Sequence, residues 1–280
     1  MCAREVVSQR HGTLMARCDT PLTRITSAPL VLLLLQQPGL GIRSANRLLD
    51  VFGGDPARWR PLAGWPIARV LAAHPMLTPH QAEWVAQMPW AEWAACEEGL
   101  RKAEADGVRA VCRGQEGYPE AFEPCLGADA PPLLYHTGDL ALASAVAGAV
   151  VGTRSPSRTG LRAAGRCAAS LVRGGAVVVS GAAAGVDTAA HETALRNGGR
   201  SVALFPQGLL TLAPCDAWRE AVAEGRLLLL SECPPHTGWQ THAAVARNRL
   251  IAALARVVCV VEPRKMGGSI QTARHAAAQG

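Results

Sequence analysis

The 280-residue sequence lacks the features of several specialised protein classes. Its longest wholly apolar run near the start, from Leu30 to Leu35, is too short to cross a bilayer. Its nine cysteines include no C-x-x-C pair and no repeating spacing, so neither a zinc site nor a disulfide framework is indicated. Reduced cysteines without a clear export signal are typical of a cytoplasmic protein. A content of 49% apolar and 18% charged residues excludes a disordered or coiled-coil chain.

Lysine is also scarce, and the positive charge is concentrated in the second half of the chain. Residues 1–135 hold 13 basic and 14 acidic residues, a net charge of −1. Residues 136–280 hold 15 basic and 8 acidic residues, a net charge of +7. This asymmetry indicates a polyanionic partner for the second half. Arginine is well suited to phosphate, although a GC-rich genome would produce the same preference for arginine over lysine.

The hydrophobic pattern divides the chain into three parts. Residues 1–28 carry scattered arginines without periodicity, which we interpret as a disordered arm or an incorrectly assigned start. Residues 29–116 show helical patterns separated by turns, and residues 117–280 alternate strands with helices. The stretch LLLLQQPGLGIRSANRLLDVFGG in the helical part resembles a helix-hairpin-helix. Such a hairpin either grips a DNA phosphate with its glycine amides or simply packs two helices tightly, and both interpretations remain open.

Strands and helices alternate regularly in the third part. The strands are predicted at residues 145–151, 176–180, 201–205, 227–231 and 257–261. The helices are predicted at 157–173, 187–196, near 216–224, at 245–255 and from 269 onward. Continuous apolar strands that alternate with helices are typical of a parallel sheet covered on both faces. The predicted fold is therefore α/β: a Rossmann-like, doubly wound, mostly parallel sheet, preceded by a small all-α helix-hairpin-helix or SAM-like domain.

The most distinctive residues follow the carboxyl ends of the predicted strands, where open α/β sheets bind their ligands. Glycines lead from several of these strands into helices, so unpaired backbone amides and helix dipoles converge there. Arg154, just after the first strand, would complete an anion site. The first turn lacks GxGxxG, and no Gly-Lys-Ser/Thr follows a strand, so neither a dinucleotide site nor a P-loop is indicated.

A row of arginines leads away from that first turn. Arg158, Arg162 and Arg166 follow Arg154 at intervals of four, so they share one face of the predicted helix. Such a basic ridge could follow successive phosphates of a DNA strand. The solvated outer face of an ordinary amphipathic helix has the same pattern, and both interpretations stay open. On the same helix, Leu161, Ala168, Leu171 and Val172 can face the sheet.

Four further side chains are candidate functional groups. His191 lies four residues after Asp187, a spacing that allows contact on a helix face, and a structural role is favoured over a general base. His236 and His242 have no acid or thiol at metal-ligand spacing, so no metal site is predicted. Trp239 could stack on a base, but a role in covering the core is favoured.

Five segments form an ordered set of motifs: VVGTRSPSRTG, SGAAAGVDTAAHETAL, LLSECPP, RNRLIAAL and VVCVVEPRKMGGSIQTARHA. Together they resemble the DprA/Smf DNA-processing family over roughly residues 118–280, and the hairpin helices fit that family's helical N-terminal domain. The resemblance implies a cytoplasmic protein, not an enzyme and without a cofactor or membrane contact, that binds single-stranded DNA during natural transformation. It also implies that the protein loads the recombinase RecA onto DNA and forms a homodimer through the Rossmann-like domain.

The resemblance further implies which residues bind DNA. Carried over position by position, they are Gly152, Arg154, Ser180, Gly181, Gly185, Asp187, Arg247, Asn248, Arg249, Arg264, Lys265, Gly268 and Ser269. On a regular helix Arg247 and Arg249 would lie about 200° apart, so both reach one ligand only if they precede the helix. Ala184 stands where the family commonly has a basic residue. The family's closing segment is missing after the last helix, which predicts a lost edge strand and weaker DNA binding and dimerisation.

Two other interpretations of the sequence exist. A nucleotide phosphoribohydrolase of the lysine-decarboxylase-like LOG group would use the same sheet and phosphate turn, but its P-G-G-x-G-T-x-x-E motif has no match in this sequence. The other interpretation is a truncated, non-functional relative of the family that folds poorly.

Overall fold

The computed structural model describes residues 27–264 and 267–280. The predictions made for residues 1–26 and for Lys265 lie outside the described residues. Within the described ranges, a helical N-terminal region precedes one seven-stranded sheet. None of the helices in these ranges combines the length and the apolar character needed to cross a membrane.

The N-terminal region contains five α-helices: α1 (Ala28–Leu35), α2 (Ile42–Phe52), α3 (Ile67–Ala73), α4 (Pro79–Ala86) and α5 (Trp93–Ala105). The predicted helix pair forms as α1 and α2, and Gly53 ends α2 with a φ of +75°, a conformation that glycine adopts without strain. A reciprocal capping box between Thr78 and Gln81 starts α4. Leucines of α1 and α2 surround the fully buried Trp59 in a separate apolar core.

The strands of the sheet are β1 (Arg109–Cys112), β2 (Leu133–Thr137), β3 (Ala147–Gly152), β4 (Val177–Ser180), β5 (Ser201–Phe205), β6 (Leu227–Ser231) and β7 (Val257–Val261). Its helices are α6 (Phe122–Leu126), α7 (Arg158–Arg173), α8 (Val186–Arg196), α9 (Asp216–Ala223), α10 (Thr241–Leu254) and α11 (Gly268–Gln279). The strand order is β1-β2-β6-β5-β4-β3-β7. The five strands β3 to β7 pair with one another in parallel. Strand β2 pairs antiparallel with β6, and β1 pairs antiparallel with β2. The predicted α/β fold class is confirmed.

Two strands were not predicted. The helical pattern assigned to residues 29–116 does not extend over Arg109–Cys112, which form β1, and Leu133–Thr137 form β2 directly after a Pro-Pro pair. Neither strand is a continuous apolar run, since β1 begins with Arg109 and β2 ends with His136 and Thr137. The two strands are held by antiparallel pairing with each other, and β2 also pairs with β6. The domain boundary predicted between residues 116 and 117 stays a prediction, although β1 lies before it and belongs to the sheet.

The helices beside the sheet begin close to their predicted positions. The side chain of Ser157 caps α7, which buries Ala164 and Ala168, but Leu161 is 43% exposed, so the expectation that it faces the sheet is wrong. Helix α10 begins at Thr241, one turn earlier than predicted.

The order of the strands creates a switch point at β3. Successive strands β4, β5 and β6 lie on one side of β3, whereas β7 crosses to its other side. The chain therefore continues from β3 toward β4 on one side and reaches β7 on the other side, and a crevice opens at the carboxyl ends of these strands. This crevice positions the candidate site.

Candidate nucleic-acid interface

A cleft of about 360 Å³ lies at the carboxyl ends of the strands beside the switch point. The turns after β3, β4 and β7 and the first turns of α10 and α11 form its walls. Eight of the residues predicted to bind DNA line it: Gly152, Arg154, Asp187, Arg247, Asn248, Arg264, Gly268 and Ser269. The tertiary structure thus brings together residues that are up to 117 positions apart in the sequence.

Among the described residues, two arginines give this cleft its accessible positive charge. Arg154 follows β3 and Arg264 follows β7, and both side chains are exposed while lining the same cavity. Strands β3 and β7 are direct neighbours, with Gly152 opposite Val261, so the two turns leave the sheet side by side. The two arginines therefore share one rim of the sheet.

Trp239 lies at the mouth of the cleft. Its side chain is 48% exposed, and the guanidinium carbon of Arg154 lies 5.7 Å from the ring centroid. The expectation that Trp239 covers the core is therefore wrong. An exposed indole next to an arginine presents both a flat stacking surface and a positive charge. The hydroxyl-bearing residues Thr153, Thr241 and Thr272 also line the cleft. Thr241 lies outside all five sequence motifs, whereas Thr272 lies within the last one but was not among the residues predicted to bind DNA.

Arg247 and Asp187 are buried at the base of the cleft. Nη1 of Arg247 donates to the carbonyl oxygen of Gly181 at 2.6 Å and to that of Leu204. Oδ2 of Asp187 accepts the backbone N–H of Gly181 at 3.2 Å and that of Ala183 at 3.4 Å. Burial lowers the pKa of Arg247 to about 10 and raises the pKa of Asp187, while the opposite charges partly offset each effect. These side chains hold the turn after β4 in place, and Arg247 Nε has no partner among the described residues.

Three of the predicted residues shape the cleft without lining it. Ser180 is fully buried and donates its hydroxyl to the carbonyl oxygen of Val150 at 2.6 Å. Gly185 has a φ of +88°, and a Cβ there would lie 2.6 Å from the carbonyl oxygen of Thr153. A Cβ at Gly181 would collide with the guanidinium of Arg247. Glycine is required at both positions because the turns after β3 and β4 leave no room for a side chain there.

Arg249 lies outside the cleft. It forms a bidentate ion pair with Glu232, with N–O distances of 2.8 and 2.6 Å, and donates to the carbonyl oxygen of Asp129. Because α10 already begins at Thr241, both Arg247 and Arg249 are helical and point in different directions. The structure therefore places Arg249 in the packing of α10 against the loop after β6.

The basic ridge lies outside the cleft. The side chains of its three arginines are exposed on α7, as expected for either interpretation, and none of them lines the cleft: Arg158, Arg162 and Arg166.

His191 does not pair with Asp187. Its side chain is buried, and its Nδ1 contacts the hydroxyl of Ser201 at 2.7 Å. Burial lowers the pKa of His191 to about 3, so it is a neutral core residue. Within the described residues, no group of three or more His, Cys, Asp or Glu side chains could hold a metal ion.

A doubly wound sheet with an arginine-lined cleft at its switch point defines a Rossmann-like anion-binding protein. The family model for DNA recombination-mediator protein A matches residues 109–280, and the chain belongs to this family. This result confirms the family recognised in the sequence motifs, and it does not favour the LOG-like hydrolase.

The similar proteins are DNA-processing proteins from several bacteria. Protein Smf of Synechocystis is 37% identical over 153 residues, which are 52% of this chain and 38% of that protein. The DNA processing protein DprA of Streptococcus pneumoniae is 37% identical over 154 residues, 54% of each chain. The chain thus spans about half the length, or less, of these curated relatives.

Two solved structures resemble this one. The X-ray structure of DNA processing protein A from Streptococcus pneumoniae matches with a TM-score of 0.69 and 26% identity, covering 91% of this chain and 84% of that chain. DNA processing protein A from Helicobacter pylori, whose structure concerns its mode of binding single-stranded DNA, matches with a TM-score of 0.52 and 32% identity. That match covers 61% of this chain and 77% of that chain.

Proposed function

We propose that this protein binds single-stranded DNA in the cleft and acts as a recombination mediator in DNA processing. The convergence of Arg154, Arg264 and the N terminus of α11 in one cavity carries the proposal. Guanidinium groups and unpaired helix amides both bind phosphate oxygens, and neither reads the sequence of the bases. The single-stranded DNA binding of the similar Helicobacter pylori protein supports the same ligand class.

A single strand suits this cleft because its bases are free to leave the backbone. A phosphate held by Arg154 places the adjacent base near Trp239, which is half-exposed beside that arginine, while Arg264 is available to a neighbouring phosphate. Stacking on an indole is possible for any unpaired base and is denied to a base inside a duplex. The geometry therefore favours single-stranded over double-stranded DNA.

A titration with labelled oligonucleotides tests this proposal. Single-stranded DNA is expected to bind with an affinity that falls steeply as salt increases, and a duplex of the same sequence is expected to bind more weakly. Binding that is absent, or that does not respond to salt, would refute the function. A thermal melt of the same sample shows whether the chain unfolds cooperatively, as a folded relative must and a degraded one would not.

The partners form the further part of the proposal. By its family resemblance, the protein is expected to form a homodimer, to act in the cytoplasm during natural transformation, and to load RecA onto the bound strand without catalysing a reaction. Sedimentation of the purified chain measures the dimer. A strand-exchange reaction with and without the protein measures the loading of RecA.

A further inference from the structure

Three turns at the edge of the sheet could offer helix amides to an anion, and they are not equivalent. Before α8 the turn already holds an anion of its own, because the carboxylate of Asp187 accepts the amides of Gly181 and Ala183. In α11 no side chain of the described residues caps the first turn. In α7 the first turn contains no acidic residue of its own, yet a carboxylate that follows β7 reaches it.

That carboxylate belongs to Glu262. Its Oε2 accepts the backbone N–H of Ser157 at 2.8 Å, and its Oε1 accepts the hydroxyl of the same residue. The hydroxyl oxygen of Ser157 in turn accepts the N–H of Gly160 at 3.0 Å. These hydrogen bonds lower the pKa of Glu262, which is therefore an anion at neutral pH. A carboxylate thus occupies the position at which a Rossmann-like first turn would hold a ligand phosphate.

Two backbone features keep Glu262 in this position. Glu262 has a φ of +46°, one of two non-glycine residues with positive φ among those described, and this conformation turns its side chain from the end of β7 toward α7. A Cβ at Gly160 would lie 2.5 Å from the Cδ of Glu262, so glycine at that position makes room for the carboxylate.

We infer that Glu262 decides where the cleft binds phosphate: it occupies the N terminus of α7 and leaves that of α11, beside Arg154 and Arg264, as the anion site. Arg247 lines the same cleft and is 5% exposed; its Nη1 is held by backbone carbonyls, but its Nε has no partner among the described residues, which is a second, independent sign of an anion in the cleft. This inference rests on the proposed binding of a DNA backbone in the cleft. It also explains why a nucleotide phosphate would not occupy the first turn.

Phosphate titration of the full chain, followed by NMR of its backbone amides, tests the assignment. In the native protein, inorganic phosphate is expected to shift the amides of residues 268–270 and to leave those of residues 157–160 in place. In Glu262→Gly, which accepts the positive φ and removes the carboxylate, both sets are expected to shift. A saturable midpoint for residues 157–160, which the native protein lacks, is expected to appear in the variant, because a negative charge has been removed from an anion site.

Ala182→Gly is the matched control, because Ala182 is the other described non-glycine residue with positive φ. This variant introduces glycine at a residue with a similar positive φ and keeps Glu262. The amides of residues 157–160 are therefore expected not to respond to phosphate. Should Glu262→Gly not fold, Glu262→Asn serves instead, since asparagine tolerates positive φ and is one methylene shorter.

Either of two results overturns the inference. One is a native protein whose amides at 157–160 and 268–270 shift together with one midpoint. The other is a folded glycine or asparagine variant in which residues 157–160 still do not respond. Native protein that binds phosphate at α11 and no oligonucleotide refutes the proposed function and leaves the assignment of Glu262 standing.

Discussion

The number of phosphates that the cleft neutralises can be derived from its geometry. Arg154 and Arg264 are exposed and available to a ligand, whereas Arg247 is already bound to two backbone carbonyls. Each phosphate neutralised on a single strand contributes about 0.7 to the slope of log affinity against log salt. We therefore expect Arg154→Ala and Arg264→Ala each to make this slope less steep by about 0.7, and the double variant to make it less steep by about 1.4.

The assay is an oligonucleotide titration at about 50 and about 200 mM salt. Between these two salt concentrations the affinity of the native protein falls by a certain factor. Loss of one contact makes that factor about threefold smaller, and loss of both makes it about sevenfold smaller. Arg101→Ala is the charge-matched control, because Arg101 is exposed on α5 and pairs with Glu98. Equal slopes for the native protein and the double variant would refute this reasoning. Arg162→Ala, measured alongside, tests the basic ridge, because it lowers the slope only if α7 contacts the strand.

Three other predictions follow from contacts described above. Trp239→Ala should weaken oligonucleotide binding by about 1–3 kcal/mol, the contribution of one stacked base, while Trp239→Phe retains most of it; equal loss in both variants would argue against stacking. Arg249→Met leaves the carboxylate of Glu232 unpaired at 15% exposure and should lower the urea-unfolding free energy by about 3 kcal/mol, whereas a changed salt slope would place Arg249 in the interface. His191 has a pKa near 3 in the fold and near 6.5 when unfolded, so the native protein should lose stability as the pH falls below about 6.5, by up to about 1.4 kcal/mol per pH unit. In His191→Gln that loss between about pH 6 and pH 4 should be shallower, and an unchanged pH profile would contradict a neutral buried imidazole.

Much of the fold follows from the sequence because its parallel strands are mostly continuous apolar runs. Predicted and observed bounds coincide for Ser201–Phe205, Leu227–Ser231 and Val257–Val261, of which the first two are buried and the last is the half-exposed edge strand. The strands Arg109–Cys112 and Leu133–Thr137 were missed because neither is a continuous apolar run and both depend on antiparallel pairing with residues elsewhere in the chain.

The candidate site likewise combines features that the sequence predicted with features that it could not predict. Motif order identified Arg154, Arg264 and Gly268, and parallel strands bring such turns to one edge of a sheet. The pattern could not show that Arg249 turns away to Glu232, because a difference of two positions on a helix decides the direction of a side chain only once the helix start is known.

By itself, the sequence determined the class of fold, the family and the edge of the sheet at which anions bind, because apolar runs and glycine-rich turns act locally. Only the tertiary structure decided which of the helix N termini at that edge remains open. That outcome depends on Glu262, which lies 105 residues from Ser157 and reaches it only because β7 pairs beside β3. The choice of anion site is therefore a property of strand order, which no local pattern encodes.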